Sequence, residues 1–130
     1  MDTRIGNQAA VAVVSRPGSA CACVRVAGDI DINAEPGLAA AADQLRAAAP
    51  GTVLIDLAGV TFACSTLANF LVCVHNAIPD EASLVLCRST PRTRHMLDLM
   101  DLRLIATFCD DLPPQWEAAQ AATSGGHPRG

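Results

Sequence analysis

The chain has 130 residues, 51% of them hydrophobic and 17% charged, with a formal net charge of -4. That length suits one domain with a real core, and the low charge argues against disorder through most of it. The acidic balance argues against nucleic-acid binding, because the densest basic stretch, Arg88, Arg92, Arg94 and His95, is followed at once by Asp98 and Asp101.

Residues 1–10 read as a flexible N-terminal arm. Val11-Ala12-Val13-Val14 is a short apolar strand, and Arg16-Pro17-Gly18-Ser19 is a turn signal. Cys21 to Ala27 forms the next strand, so the two strands make a hairpin. Gly28-Asp29-Ile30-Asp31-Ile32-Asn33 is a loop. The first helix is expected from about Ala34 to Ala49, capped by Asn33, with Leu38, Ala41, Ala42, Leu45 and Ala49 on its apolar face. Pro50-Gly51 ends it.

Val53 to Leu57 is a central strand by its nearly continuous apolar character. Asp56 then stands as a strand-end carboxylate facing a helix N-terminus. The second helix runs from Thr66 to Asn76, with Ser65 or Thr66 as its cap. Ala82 to Cys87 is a strand. Thr90-Pro91 opens a third helix that reaches about Met100, with Met96, Leu97 and Met100 inward. Leu104 to Phe108 is the last strand. Pro113-Pro114 starts a final helix through Ala122, and residues 123–130 are a flexible tail. The folded part is therefore 11–122.

The order ββαβαβαβα implies a single α/β domain with a mixed, twisted sheet: parallel crossovers following an opening hairpin. Whether helices cover one face or both is open. The apolar edge strand at 11–14 offers a weak homodimer contact.

No stretch reaches about 18 apolar residues, so no transmembrane helix or membrane insertion is expected. The N-terminal residues lack a basic-then-apolar leader. The six cysteines, at 21, 23, 64, 73, 87 and 109, show no two-residue motif spacing. Reduced thiols in a cytoplasmic protein are the expectation. His75 and His95 are isolated, so no metal site and no cofactor are expected. Walker and dinucleotide motifs are absent.

Ligand sites in such sheets lie beyond the carboxyl ends of parallel strands. Two segments meet there: 28–33, and Thr61-Phe62-Ala63-Cys64-Ser65-Thr66. A helix N-terminus favours an anion, including phosphate on a serine, and that charge would be repelled by Asp31. A simple cap is the plain alternative for Ser65 and Thr66, and a turn residue for Asp31. Cys64 is either a tucked small residue or a thiol activated by the helix start. A nucleophilic enzyme acting through Ser65 or Cys64 ranks last, because no histidine can be tied to either.

The chain resembles the STAS domain of bacterial anti-sigma factor antagonists. Val26-Ala27-Gly28-Asp29-Ile30-Asp31 is similar to the family's hydrophobic-Gly-Glu-Leu-Asp stretch, continued by Pro36 and Leu38. Ile55-Asp56-Leu57-Ala58-Gly59-Val60-Thr61-Phe62-Ala63-Cys64-Ser65-Thr66 is similar to Asp-Leu-Ser-Gly-Val-x-Phe-x-Asp-Ser-Ser. Thr90-Pro91 with Leu97, Leu99 and Leu102 resembles the third helix. The resemblance implies a non-enzymatic protein that binds an anti-sigma factor with a histidine-kinase-like ATPase fold and so frees a sigma factor.

It further implies phosphorylation at Ser65, with Thr66 the second choice, and reversal by a serine phosphatase. The partner face would comprise Asp29, Asp31, Asn33, Phe62, Cys64, Ser65, Thr66 and Leu67. The chain departs from the pattern at Cys64, where the family has aspartate, and at Leu67 and Asp101, where it has glycine. An accessory STAS subunit of a membrane transport or lipid-transport ATPase, and a phosphorylation-independent scaffold, are the alternatives.

Overall fold

The structure, a computed structural model, describes residues 9–15, 20–114 and 116. Among the described residues, five strands form one sheet in the order β1-β2-β3-β4-β5: β1 (Ala10–Ser15), β2 (Cys21–Ile30), β3 (Thr52–Ala63), β4 (Ser83–Cys87) and β5 (Thr107–Cys109). β1 pairs antiparallel with β2, and every other pairing is parallel. The expected mixed sheet is therefore the observed one, with β1 and β5 at its edges. Helices α1 (Glu35–Ala48), α2 (Ser65–Ala77) and α3 (Pro91–Leu99) connect the parallel strands.

All three helices pack on one face. Val24, Val26, Val53, Ile55, Leu57, Leu84 and Leu86 alternate inward along the strands. They meet Leu38 and Leu45 of α1, Leu67, Leu71 and Val74 of α2, and Leu97 of α3. Each such side chain, fully buried, contributes about 1.5–3 kcal/mol before the entropy of ordering is set against it. The opposite face holds a smaller cluster, Cys23, Leu54 and Cys87, covered by Trp116. Burial pushes the Cys23 and Cys87 thiols up to about 12, with neighbouring thiols adding to the effect. Both are inert small hydrophobes here.

Asp56 is not a strand-end group facing a helix. It lies within β3, on the face away from the helices, and is 2% exposed. Arg88 Nη2 donates to its Oδ2 at 2.6 Å and Arg88 Nε to its Oδ1 at 3.1 Å, a bidentate pair. Arg25 Nε lies 3.3 Å from Oδ2, and the Ala58 N–H donates to Oδ1 at 3.1 Å. The Arg25 guanidinium also sits 5.2 Å over the Trp116 ring. Arg88 is held for this contact by left-handed backbone, φ 56°. The cluster ties β2, β3 and the end of β4 across three strands.

Several element ends differ from the sequence reading. Asp31, not Asn33, provides the cap: its Oδ1 accepts from Asn33 N at 3.0 Å and opens a 3-10 turn, Ile32–Ala34, that leads into α1. α1 itself begins after Ala34, which makes no side-chain cap bond. β3 runs six residues past Leu57, because Ala27–Ile30 of β2 continues to pair with Gly59–Ala63. Met100 is an exposed C-cap and not an inward residue. A second 3-10 turn, Leu102–Leu104, replaces the start of the expected last strand, and β5 is only Thr107–Cys109. Leu102 fills the core there, so the chain must turn before it can pair. Thr90 does cap α3, accepting from Thr93 N at 3.3 Å, with Pro91 at the first helical position. The predicted arm up to residue 8, the turn 16–19, the final helix beyond Trp116 and the tail 123–130 lie outside the described residues.

Burial alone would raise the Asp56 carboxyl. The Arg88 hydrogen bonds, the Ala58 N–H and the charges of Arg88 and Arg25 outweigh it and hold the group below the usual carboxylate range. A group lowered in this way stabilises the fold fully above the ordinary carboxylate pKa of about 4. That contribution is lost as pH falls through the lower folded value. Asp56→Asn is therefore expected to cost about 1–3 kcal/mol at neutral pH and to flatten the acid limb of stability. Urea titrations between neutral and strongly acidic pH check both effects.

Candidate functional site

β2 and β3 extend beyond β4, whose pairing with β3 stops at Asp56↔Cys87. The projecting ribbon is paired through Asp29↔Phe62 and Ile30↔Ala63. Two glycines let it form. Gly28 has φ 85°, a backbone conformation that disfavours any Cβ. At Gly59 a Cβ would stand 2.8 Å from the Ala27 Cβ, so the strands approach there as closely as they can. The ladder shifts register twice here, between Arg25 and Ala27 and between Gly28 and Asp29. Such irregularities twist a strand pair and re-aim its end.

At the tip, Thr61 Oγ1 donates to Asp29 Oδ1 at 2.7 Å, and the Cys64 thiol lies 3.6 Å from the Ile30 carbonyl oxygen. These contacts bind the start of α2 to the Asp31 turn. The two expected segments do meet beyond the strand ends. The connection between β3 and α2 is a single residue, Cys64.

Cys64 is the N-cap of α2. Its backbone is extended, φ -139° and ψ -161°, and its side chain makes no cap hydrogen bond. Ser65 is thus the first helical residue and not the cap. It is solvent-exposed and beside the unpaired N–H groups of the first turn. Thr66 is 8% exposed and lines a groove of about 290 Å3 between α1 and α2, with Leu38, Ala42, Phe70 and Cys73. Its hydroxyl is far less accessible than that of Ser65.

Leu67, expected on the partner face, is fully buried in the core and cannot form part of that face. Helix periodicity explains it, because Leu67, Leu71 and Val74 share the inward stripe of α2. The bulk that replaces the family's glycine is therefore spent inward. Phe62 is about half-exposed, as a partner contact requires. Asp29, Asp31 and Asn33 line a separate polar cleft of about 270 Å3 on the β1 side of β2, with Gly37. One residue that the sequence reading missed is Ile32, a largely exposed apolar side chain in the turn between Asp31 and Asn33. Its signal was an isoleucine between two polar loop residues.

No general base reaches Ser65 along its own helix. His75 lies ten residues on, in the last turn of α2, which puts it roughly 15 Å away along the axis. Among the described residues, no group of three or more His, Cys, Asp or Glu can hold a metal ion. No helix among them is long and apolar enough to cross a membrane. The geometry offers a surface for binding that carries the exposed hydroxyl of Ser65, while the exposed Thr61 hydroxyl is engaged with Asp29.

The family model described as "Mlab, STAS domain" matches residues 14–106. The chain belongs to the STAS domain family. This STAS domain shares its fold with an anti-sigma factor antagonist from Mycobacterium paratuberculosis, at 23% identity over 88% of this chain and 93% of that one, TM-score 0.68. It is similar to the anti-sigma factor antagonist SpoIIAA in its unphosphorylated form, at 16% identity over 89% and 97%, TM-score 0.67. A STAS domain protein from Planctomyces limnophilus matches at 21% identity over 88% and 98%, TM-score 0.56. No curated protein sequence matches the chain.

The STAS pattern gives two of its departures a structural meaning. The aspartate that Cys64 replaces would stand at the N-cap of α2, where an acidic oxygen accepts from the first-turn N–H groups. Asp101, where the family has glycine, has φ 60° and ψ 30°. Left-handed backbone suits glycine, and aspartate tolerates it better than most residues. Cys64→Asp is expected to stabilise the domain by about 0.5–1 kcal/mol through the restored cap. A rise in thermal midpoint of a few degrees in calorimetric scans would show it, and an unchanged or lowered midpoint would not fit a cap at position 64.

Proposed function

We propose that this STAS protein is an anti-sigma factor antagonist, whose Ser65 accepts the phosphate that ends the complex. The reading rests above all on one observation: Ser65 is exposed at the first position of α2, one residue beyond a ribbon that carries Asp29 and Phe62. The partner is an anti-sigma factor of histidine-kinase-like ATPase fold, and the setting is the cytoplasm. Binding the antagonist would free the sigma factor. A serine phosphatase would reverse the modification.

The electrostatics support a switch that leaves the fold intact. A phosphate on Ser65 adds roughly -1.5 to -2 charges. The N-terminus of α2 favours that charge by about 0.3–1 kcal/mol, so the helix tolerates it. Asp29 and Asp31 across the ribbon repel it, which changes the face presented to a partner. Ser65 supplies an exposed hydroxyl, and the two segments that meet beyond the strand ends also expose the apolar side chains of Phe62 and Ile32.

A second reading is favoured by Cys64. The family motif carries an acid directly before its phosphorylated serine, and here that acid is missing. An accessory STAS subunit docked on a membrane transport or lipid-transport ATPase needs the same exposed face but no acid at that position. A scaffold that works without phosphorylation is the simplest form of this reading.

Calorimetric titration against candidate ATP-binding anti-sigma factors separates the two. Stoichiometric binding by the unmodified protein is expected, with Ser65→Ala retaining it and Ser65→Asp weakening it at least tenfold. Equal affinity for wild type and Ser65→Asp sinks the switch. Failure to bind any such factor, with co-purification of a permease–ATPase complex instead, sinks the antagonist role.

A further inference from the structure

The end of α3 and the 3-10 turn that follows it expose three large apolar side chains side by side in sequence: Leu99 at 73%, Met100 at 43% and Leu104 at 78%. Neighbouring apolar residues of the same segment do go inward, since Leu97 and Leu102 are buried in the core. Core packing therefore does not account for Leu99 and Leu104. A cluster of this kind marks an interaction surface more often than chance.

Its position sets it apart from Ser65. In each crossover the helix runs back against its strands, so α2 starts at the C-terminal ends of the parallel strands and α3 finishes at their N-terminal ends. The apolar cluster therefore lies at the pole opposite Ser65, next to the N-terminal end of the short edge strand β5.

Two charges stand among the three apolar residues, Asp101 and Arg103, and both are exposed. Neither makes an ion pair among the described residues. On the adjoining helix α3, two charged side chains already have neighbours. Arg94 stacks 4.0 Å from the centre of the Phe108 ring and lies 3.5 Å from Asp98 Oδ1. Segment 99–104 itself carries one negative and one positive group, two residues apart, among its exposed apolar side chains. Such a surface is complementary to itself under a two-fold axis, where each acid faces the base of the other copy. An anionic membrane fits less well, because Asp101 stands inside the patch and the whole chain carries a net charge of -4.

We propose that Leu99, Met100 and Leu104 form a two-fold dimer face, in which Asp101 of each copy pairs with Arg103 of the other. This surface is independent of the anti-sigma reading, and it leaves the Ser65 pole open in both copies. The area is small. A few apolar side chains per copy fall short of the roughly 800 Å2 per partner of a standard interface, so the contact belongs to the weak, transient class. It also differs from the contact that the apolar β1 edge suggests, since β1 and β5 lie at opposite edges of the sheet.

Sedimentation equilibrium of the full chain from micromolar to millimolar concentration tests it. A monomer–dimer equilibrium is expected, and Leu104→Glu should weaken it at least tenfold. D101K and R103D should each weaken it alone, and an equimolar mixture of the two should recover most of the association. Asp101 has left-handed backbone, so D101N, better tolerated there, is run in parallel and each variant is checked by circular dichroism. A protein that stays monomeric throughout overturns the proposal. So does a dimer that Leu104→Glu leaves intact while β1 substitutions break it. Binding to vesicles of half anionic lipid, lost in Leu104→Glu and without any dimer, overturns it too and assigns the patch to a membrane.

Discussion

The parallel pairing of β2 with β3 beyond the reach of β4 is the constraint on which the candidate site depends. Within the body of the sheet, both strands are held by neighbours on either side. From Gly59 onward β3 has only β2 beside it. The ribbon survives because Gly28 supplies a left-handed backbone and Gly59 lets Ala27 come close. Its tip is then locked by Thr61 against Asp29, and by Cys64 against the Ile30 carbonyl. Ser65 is presented at the end of this ribbon with no loop in between. A one-residue connection leaves little conformational freedom, so the hydroxyl is displayed at small entropic cost.

Below the ribbon, the Asp56 cluster holds the same two strands from the other face. Arg25 comes from β2, Asp56 from β3, and Arg88 from the residue after β4. The buried carboxylate is compensated by two guanidinium groups that reach solvent, which keeps the desolvation cost of the pair moderate. The proposed site and the stability of the sheet thus draw on different stretches of one strand: Thr61 to Ala63 at the end of β3, and Asp56 at its middle.

Much of this arrangement was legible in the residues. Thr90-Pro91 specified the start of α3, and the nearly continuous apolar run Val53 to Leu57 specified a central strand. The meeting of segments 28–33 and 61–66 followed from the crossover order. What was not legible depended on partners distant in sequence. Asp56 looked like a strand-end group because its ligands, Arg25 and Arg88, are 31 and 32 residues away. Asn33 looked like the cap because it stands nearer the helix, yet Asp31 reaches its N–H two residues on. The length of β3 was hidden because the apolar run breaks at Ala58-Gly59, while pairing with β2 carries the strand on to Ala63. Leu67 looked like bulk on a binding face until the stripe of α2 was seen to take it inward. Met100 reads as an inward helix position, yet the helix ends at Leu99 and leaves it exposed as the C-cap.

Membership of the STAS family makes the departures at positions 64, 67 and 101 informative, because each now has a local cause or consequence. Leu67 is a core residue, Asp101 occupies a left-handed position, and Cys64 is an N-cap without a capping bond. Only the last touches the exposed serine. The account therefore turns on whether Ser65, displayed by the β2–β3 ribbon, is the residue modified. Phosphosite mapping by mass spectrometry, after incubation of the intact protein with ATP and candidate anti-sigma kinases, asks this most directly. A single phosphate on Ser65, and none on the buried Thr66, is the predicted result. Phosphate on Thr66, or on a residue away from the ribbon, would contradict the account.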